Sequence, residues 1–195
     1  TGTTFIDAGT LSLASANALA GGGNVTFRGG VLQYTASNTS DLAARIVNSV
    51  GSMMIDTNAQ NVTYAGDLVA SNTSGLTKLG LGTLTLSGNN VYTGTTYIDA
   101  GTLSLASANA LAGGGNVTFR GGTLQYTASN TSDLSGRIVN SVGAMVIDTN
   151  AQNVTYAGNL VASNTSGLTK LGLGTLTLSG NNVYTCLLYT SDAAD

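Results

Sequence analysis

The chain is written twice. Residues Thr1–Tyr92 and Thr93–Tyr184 align without a gap at an offset of 92 positions, and 85 of the 92 pairs are identical. The seven exchanges are mild: Phe5/Tyr97, Val31/Thr123, Ala43/Ser135, Ala44/Gly136, Ser52/Ala144, Met54/Val146 and Asp67/Asn159. A closed globular fold has no place for a near-identical second half added end to end. A solenoid does, because each unit touches only its neighbours. The duplication therefore predicts an elongated stack that accepts further units.

Within a unit, short alternating runs stand between turn-formers. The runs are Thr3–Ile6, Thr10–Leu13, Asn24–Phe27, Val31–Tyr34, Met53–Asp56, Asn61–Tyr64, Leu76–Leu79 and Thr83–Leu86. Each has a period of two, with an apolar side and a Thr or Ser side, the pattern of a half-buried strand. Gly and Asn at Ala8-Gly9, Gly21-Gly22-Gly23-Asn24, Gly29-Gly30, Gly66-Asp67, Gly80, Gly82 and Ser87-Gly88-Asn89-Asn90 suit tight corners. Such strands and corners give coils of roughly 20–25 residues, about four to a unit. The 195 residues contain no Pro, as expected where every interior strand donates hydrogen bonds to both neighbours. Only Ala14–Leu19 and Asp41–Val47 lean toward helix, at most a single turn each. The expected fold is all-β: a right-handed parallel β-helix, or β-solenoid, built from units 1–92 and 93–184 as one body over 1–185.

Composition narrows the chemistry. Charged residues are 8% and apolar residues 42%, and there is neither His nor Glu, so the chain has core material but an uncharged surface. A net charge of −3 with isolated Arg28, Arg45, Lys78, Arg120, Arg137 and Lys170 argues against nucleic acid, which requires clustered cations. No apolar run reaches the roughly 18 residues of a spanning helix. Without His, a Ser-His-Asp triad cannot be assembled, and no ligand cluster suggests zinc. Hydrolysis of a polysaccharide would use paired carboxylates; Asp7, Asp41, Asp56 and Asp67 fall in different coils, and Asp67 becomes Asn159 in the second copy. Gly21-Gly22-Gly23-Asn24 is similar to a calcium-binding nonapeptide repeat in its glycines but lacks the Asp, and reads as a corner. The sequons at Asn24-Val-Thr26 and Asn61-Val-Thr63 read as corner asparagines preceding strands. Within the alternating runs, Thr83-Leu84-Thr85 and Thr175-Leu176-Thr177 alone supply Thr-x-Thr, too few for an ice-binding face in every coil. Tyr34, Tyr64, Tyr92 and their copies either stack within the coil surface or form an exposed binding ladder. No catalytic, cofactor-binding or metal-binding residue is assigned, and no cofactor is expected.

The stretch Leu76–Ser107, LTKLGLGTLTLSGNNVYTGTTYIDAGTLSLAS, resembles the autotransporter-associated β-strand repeat. Gly80, Gly82, Thr83, Leu84, Thr85, Leu86, Ser87, Gly88, Asn90, Tyr92, Thr93, Gly94, Thr95, Ile98, Gly101, Thr102, Leu103 and Leu105 fill its pattern, with Val91 intervening before Tyr92. The motif restarts at Leu168–Thr185, and its second half opens the chain at Thr1–Leu13. The resemblance implies a right-handed parallel β-helix in the exported passenger of a type V secreted protein. It implies a structural or adhesive stalk at the bacterial surface, displayed or secreted across the outer membrane and followed by a C-terminal outer-membrane β-barrel. Its partners would be neighbouring repeats, that barrel, and host or matrix ligands. The alternative is a secreted β-helix that binds or cleaves glycans.

After Thr185 the repeat breaks: where Gly94 predicts Gly, the chain reads Cys186-Leu-Leu-Tyr-Thr-Ser-Asp-Ala-Ala-Asp195. This string resembles the translation of a transposase sequencing adapter, so residues 186–195 are expected to be non-native, at the edge of a metagenomic fragment. Without them the chain has no Cys, and its charge is −1, from six basic and seven acidic residues. Absence of Cys suits a passenger that crosses the oxidising periplasm unfolded.

Overall fold

A computed structural model describes residues 2–185; Cys186 and the tail expected to be non-native lie outside them. The described chain is almost purely β. Its strands are β1 (Thr4–Ile6), β2 (Thr10–Ser12), β3 (Val25–Phe27), β4 (Val31–Gln33), β5 (Met53–Asp56), β6 (Val62–Tyr64), β7 (Leu76–Leu79) and β8 (Thr83–Leu86). The second copy continues with β9 (Thr96–Ile98), β10 (Thr102–Leu105), β11 (Val117–Phe119), β12 (Thr123–Gln125), β13 (Met145–Asp148), β14 (Val154–Tyr156), β15 (Leu168–Leu171) and β16 (Leu176–Leu178). All eight runs expected in the first unit form strands, each within one residue of the expected bounds. Helical leaning survives as two single 3-10 turns, Ala43–Arg45 and Ser135–Arg137.

Every strand pairing is parallel. One six-stranded sheet runs β2-β4-β5-β7-β9-β11 and another β6-β8-β10-β12-β13-β15. The pairs β1-β3 and β14-β16, with non-strand segments between, make the third side. Alternation of side chains sends one row inward in each sheet. In the first sheet Leu11, Leu32, Ile55, Lys78, Ile98 and Phe119 stack in register. In the second, Val62, Leu84, Leu103, Leu124, Ile147 and Lys170 do the same. The result is a three-sided solenoid of eight coils. No single coil buries its own apolar row; the stack does, at about 4.8 Å per step.

The corners explain two glycines. Gly75 (φ 82°) and Gly80 (φ 73°) adopt the left-handed region, and a Cβ at either would strike backbone, at Thr95 and at Asn58 respectively. Between sides, buried polar groups close the ladder internally. Ser49 Oγ accepts the Phe27 amide at 3.1 Å, and Asn72 Oδ1 accepts the Ser49 amide at 3.1 Å. Asn72 Nδ2 in turn donates to the Ile46 carbonyl at 2.8 Å.

The repeat and the coil are out of step. Following one outward row, Thr10 pairs with Val31, Val31 with Met54, Met54 with Thr77, and Thr77 with Tyr97. Four coils thus take 87 residues, from Thr10 to Tyr97, five fewer than the 92-residue unit. Tyr97 is the counterpart of Phe5, which lies on the third side in β1, yet it stacks in the first sheet. Likewise β2 lies in the first sheet and its counterpart β10 in the second. The second copy repeats the local structure of the first but is turned by one side about the solenoid axis.

Candidate functional site: a buried lysine and a repeated cleft

The seven described carboxylates are taken up separately. Asp7 faces Arg28 at 3.7 Å, and Asp99 faces Arg120 at 3.6 Å. Those guanidinium groups also lie over the Phe5 and Tyr97 rings at 3.8 and 3.7 Å, so the Phe5/Tyr97 exchange preserves a cation–π contact. Asp56 Oδ2 accepts from Gln33 at 2.8 Å, and Asp148 Oδ2 from Gln125 at 2.9 Å. Asp41 accepts backbone amides of Ala43, Ala65 and Gly66, and Asp133 those of Ser135, Ala157 and Gly158. Burial is the largest single influence on the Asp133 carboxyl and pushes it up, but the Ser135 hydroxyl and these amides together hold it below the usual range. Asp67 Oδ1 accepts the Asn89 amide at 2.7 Å, and in the second copy Asn159 Oδ1 accepts the Asn181 amide at 2.7 Å. That explains the Asp67/Asn159 exchange: an acceptor is needed there, not a charge. No hydrogen bond joins two of these carboxylates; each has partners of its own. Among the described residues no three His, Cys, Asp or Glu side chains are placed to share a metal ion.

The tyrosines form no exposed ladder. Tyr34, Tyr64, Tyr126 and Tyr156 are fully buried, and Tyr92 nearly so. Tyr34 and Tyr64 meet edge to face with centroids 6.4 Å apart and hydroxyls 3.0 Å apart, and Tyr126 and Tyr156 repeat the pair. The reason is the stack: a long loop between Tyr34 and Arg45 leaves room inside the coil, which two rings fill while their hydroxyls satisfy each other. Burial pushes all four hydroxyls upward in pKa and Tyr92 up to about 12. Replacing Tyr34 by Phe leaves the buried Tyr64 hydroxyl without a partner and is expected to cost about 1–3 kcal/mol, read from the urea midpoint of unfolding.

Sequence reasoning missed Lys78. It points into the core between Ile55 and Ile98 with no solvent exposure. Its Nζ donates to Thr57 Oγ1 at 2.9 Å, to the Leu79 and Gly80 carbonyls at 2.8 and 2.7 Å, and to the Ala100 carbonyl at 3.2 Å. The acceptors belong to three successive coils, so one ammonium ties a corner together from inside. The signal was in the alternation of Leu76-Thr77-Lys78-Leu79, which puts Lys78 on the same side as Leu76. Lys170 repeats the motif in the last described coil, donating to the Leu171 and Gly172 carbonyls.

Burial lowers Lys78 to about 8, partly opposed by the charge of Asp56, whereas the unfolded side chain titrates near 10.5. Between those values the unfolded side chain holds more protons than the folded one, so Lys78 makes stability rise with pH across that window. Above about pH 9 the net sign reverses, because the unfolded tyrosines begin to ionise while the five buried ones resist. Chemical denaturation between pH 7 and 11 is therefore expected to show maximal stability at about pH 9, and the rise from pH 8 should vanish in Lys78→Met.

The described surface has one concavity that recurs in both copies. In the first copy, Ala16, Leu19, Ser40, Asp41, Leu42 and Arg45 border a cavity of about 120 Å³. In the second, Ala108, Leu111, Ser132, Asp133, Leu134 and Arg137 border one of about 220 Å³. Arg45 fixes the rim, donating from Nε to the Gly23 carbonyl at 2.7 Å and from Nη1 to Leu19 at 2.8 Å; Arg137 does the same to Gly115 and Leu111. The clefts arise where each copy leaves strand geometry for its long loops, 13–24 with 34–45 and 105–116 with 126–137.

A parallel solenoid with near-identical tandem units and individually partnered carboxylates defines a repeat protein of the rod-building class. Residues 1–13, 6–33, 76–105, 99–125 and 168–185 match the passenger-associated-transport-repeat model. The chain belongs to the passenger-associated-transport-repeat family. It is similar to the adhesin BmaC autotransporter of Brucella suis biovar 1 (strain 1330), at 37% identity over 180 residues. That alignment takes in 83% of this chain and 5% of the relative, so the chain spans about one-twentieth of the length of the protein it matches. No solved structure matches.

Proposed function

We propose that this chain is a non-catalytic, adhesive stalk segment of a longer autotransporter passenger, exported across the outer membrane and displayed at or released from the bacterial surface. The observation that carries the reading is the eight-coil parallel stack built from near-identical units, which lengthens without redesign. The similarity to an autotransporter named an adhesin supports the same conclusion. In the complete protein its partners are adjoining repeats, a C-terminal outer-membrane β-barrel, and ligands on host or matrix surfaces. We further propose that residues 1–185 form one solenoid and that residues 186–195 are not native.

The test is display of the segment on a Gram-negative host through an autotransporter barrel. External protease should remove it from intact cells, and displaying cells should adhere to host-cell or matrix-coated surfaces above a barrel-only control. Display without any gain in adherence would sink the adhesive reading. Release of reducing ends from a polysaccharide panel would sink the non-catalytic one.

A further inference from the structure

The offset between unit and coil has a consequence for whatever the surface binds. The cleft of the first copy lies on the side that β6, β8 and β10 continue as the second sheet, since its loop 13–24 follows β2 of the first sheet and precedes β3 on the third side. The cleft of the second copy lies on the third side, since loop 105–116 follows β10 of the second sheet and precedes β11 of the first. Its loop hydrogen-bonds there to the neighbouring coil through the Asn90 amide and the Asn109 carbonyl at 3.0 Å. Each added unit advances the cleft by one side, and a three-sided rod returns it to the same side every third unit.

The chemistry of the cleft restricts its occupant. Ser40 and Ser132 are exposed, and their hydroxyls make no hydrogen bond within the chain. The acid beside each serine and the guanidinium across from it place opposite charges on one rim, which disfavours a strongly charged ligand of either sign. Leu19, Leu42 and Ala16 supply a small apolar floor without an aromatic ring. A few convergent polar groups over an apolar floor is the usual composition of a small-ligand site, and a cavity of 120–220 Å³ matches one ring with several hydroxyls rather than a peptide helix or strand.

We propose that the repeated cleft is a site for a neutral sugar unit, and that successive units turn it onto successive sides of the rod. The rod is then polyvalent toward a hydroxylated polymer that surrounds it, such as a glycan meshwork, where clefts on all sides engage at once. Against a flat surface only every third unit could engage, and the gain from linking many weak sites would be correspondingly smaller. This inference rests on the adhesive reading above.

Two measurements on the displayed chain, in a Cys186→Ser background, test it. In the first, Ser37→Cys and Ser129→Cys, counterparts on the exposed cleft loops, are biotinylated together, saturated with streptavidin and imaged by electron microscopy. Two densities on different sides of the rod are expected; both on one side would overturn the rotated display. In the second, binding is measured to immobilised neutral oligosaccharides of mannose, galactose and glucose, with a sialylated set alongside. Binding to a neutral set is expected, falling at least tenfold when Ser40→Phe and Ser132→Phe fill both clefts, with the urea midpoint showing that this variant folds. Should that variant unfold, Ser40→Gln with Ser132→Gln takes its place at the same exposed positions. Binding confined to the sialylated set, absent from all sets, or unchanged in the filled variant would overturn the sugar site. Adherence to host cells that persists in any of those cases leaves the adhesive reading standing while this one falls.

Discussion

Replacing Lys78 by Met is expected to destabilise the solenoid by about 2–4 kcal/mol, seen as a lowered urea midpoint with little change in slope. The methionine keeps the hydrophobic stem against Ile55 and Ile98, so the loss reports the ammonium and not the packing. Its four acceptors, one hydroxyl and three carbonyls, are left in a site with no solvent exposure. Buried polar groups deprived of a partner cost about 1–3 kcal/mol each, and partial relaxation keeps the total below their sum. Lys170→Met should cost much less in the same chain, because Lys170 is exposed and, among the described residues, donates to two carbonyls. Equal losses at the two positions would show that the corner bonds contribute nothing specific.

Phe119→Ala should be the costliest truncation of the apolar stack, at about 3–5 kcal/mol. Phe119 is fully buried and faces Ile98 in the adjoining coil, one coil into the second copy, with the first sheet ending on its strand. Its counterpart Phe27 is equally buried and its strand is paired alike, β3 with β1 and a bridge at Ile46 as β11 with β9 and a bridge at Ile138, but Phe27 lies in the second of the eight coils. In a nearly one-dimensional molecule the placing of a defect matters as much as its size. Phe27→Ala is expected to fray the first two coils and leave the remainder cooperative, whereas Phe119→Ala weakens an interior step, between the fifth and sixth of the eight coils. Amide hydrogen exchange separates the two: protection should be lost in residues 4–33 for Phe27→Ala, and on both sides of β11 for Phe119→Ala. Uniform loss of protection in both variants would contradict the local picture.

The fold was legible because solenoid strands carry their own address. Thr83-Leu84-Thr85-Leu86 shows which residues point inward without reference to any distant partner, and Gly80 and Gly82 mark the corner before it. The tyrosines were less legible for the opposite reason. Tyr34 sits in a strand-like run, and whether its ring lies on the coil surface or inside depends on Tyr64, 30 residues away, and on the space a loop happens to leave. Lys78 was counted only as one of the cations isolated along the chain, although the alternation of Leu76-Thr77-Lys78-Leu79 put it on the side of Leu76. The cleft could not have been read at all. It exists only where loops of two coils oppose each other, and nothing in Ser40, Asp41 or Arg45 taken singly distinguishes a rim from an ordinary turn.

The five-residue mismatch between four coils and one unit makes the copy number of this protein an angular setting as well as a length. A rod of near-identical units lengthens or shortens by whole units. Each unit gained or lost changes the rod by about 20 Å at the stacking distance of parallel strands, and it also swings everything beyond that point around the axis by one side. A tip carried at the far end is re-aimed, not merely moved outward, and three units restore its heading. Rods that differ only in the number of these units therefore turn their far ends to three orientations.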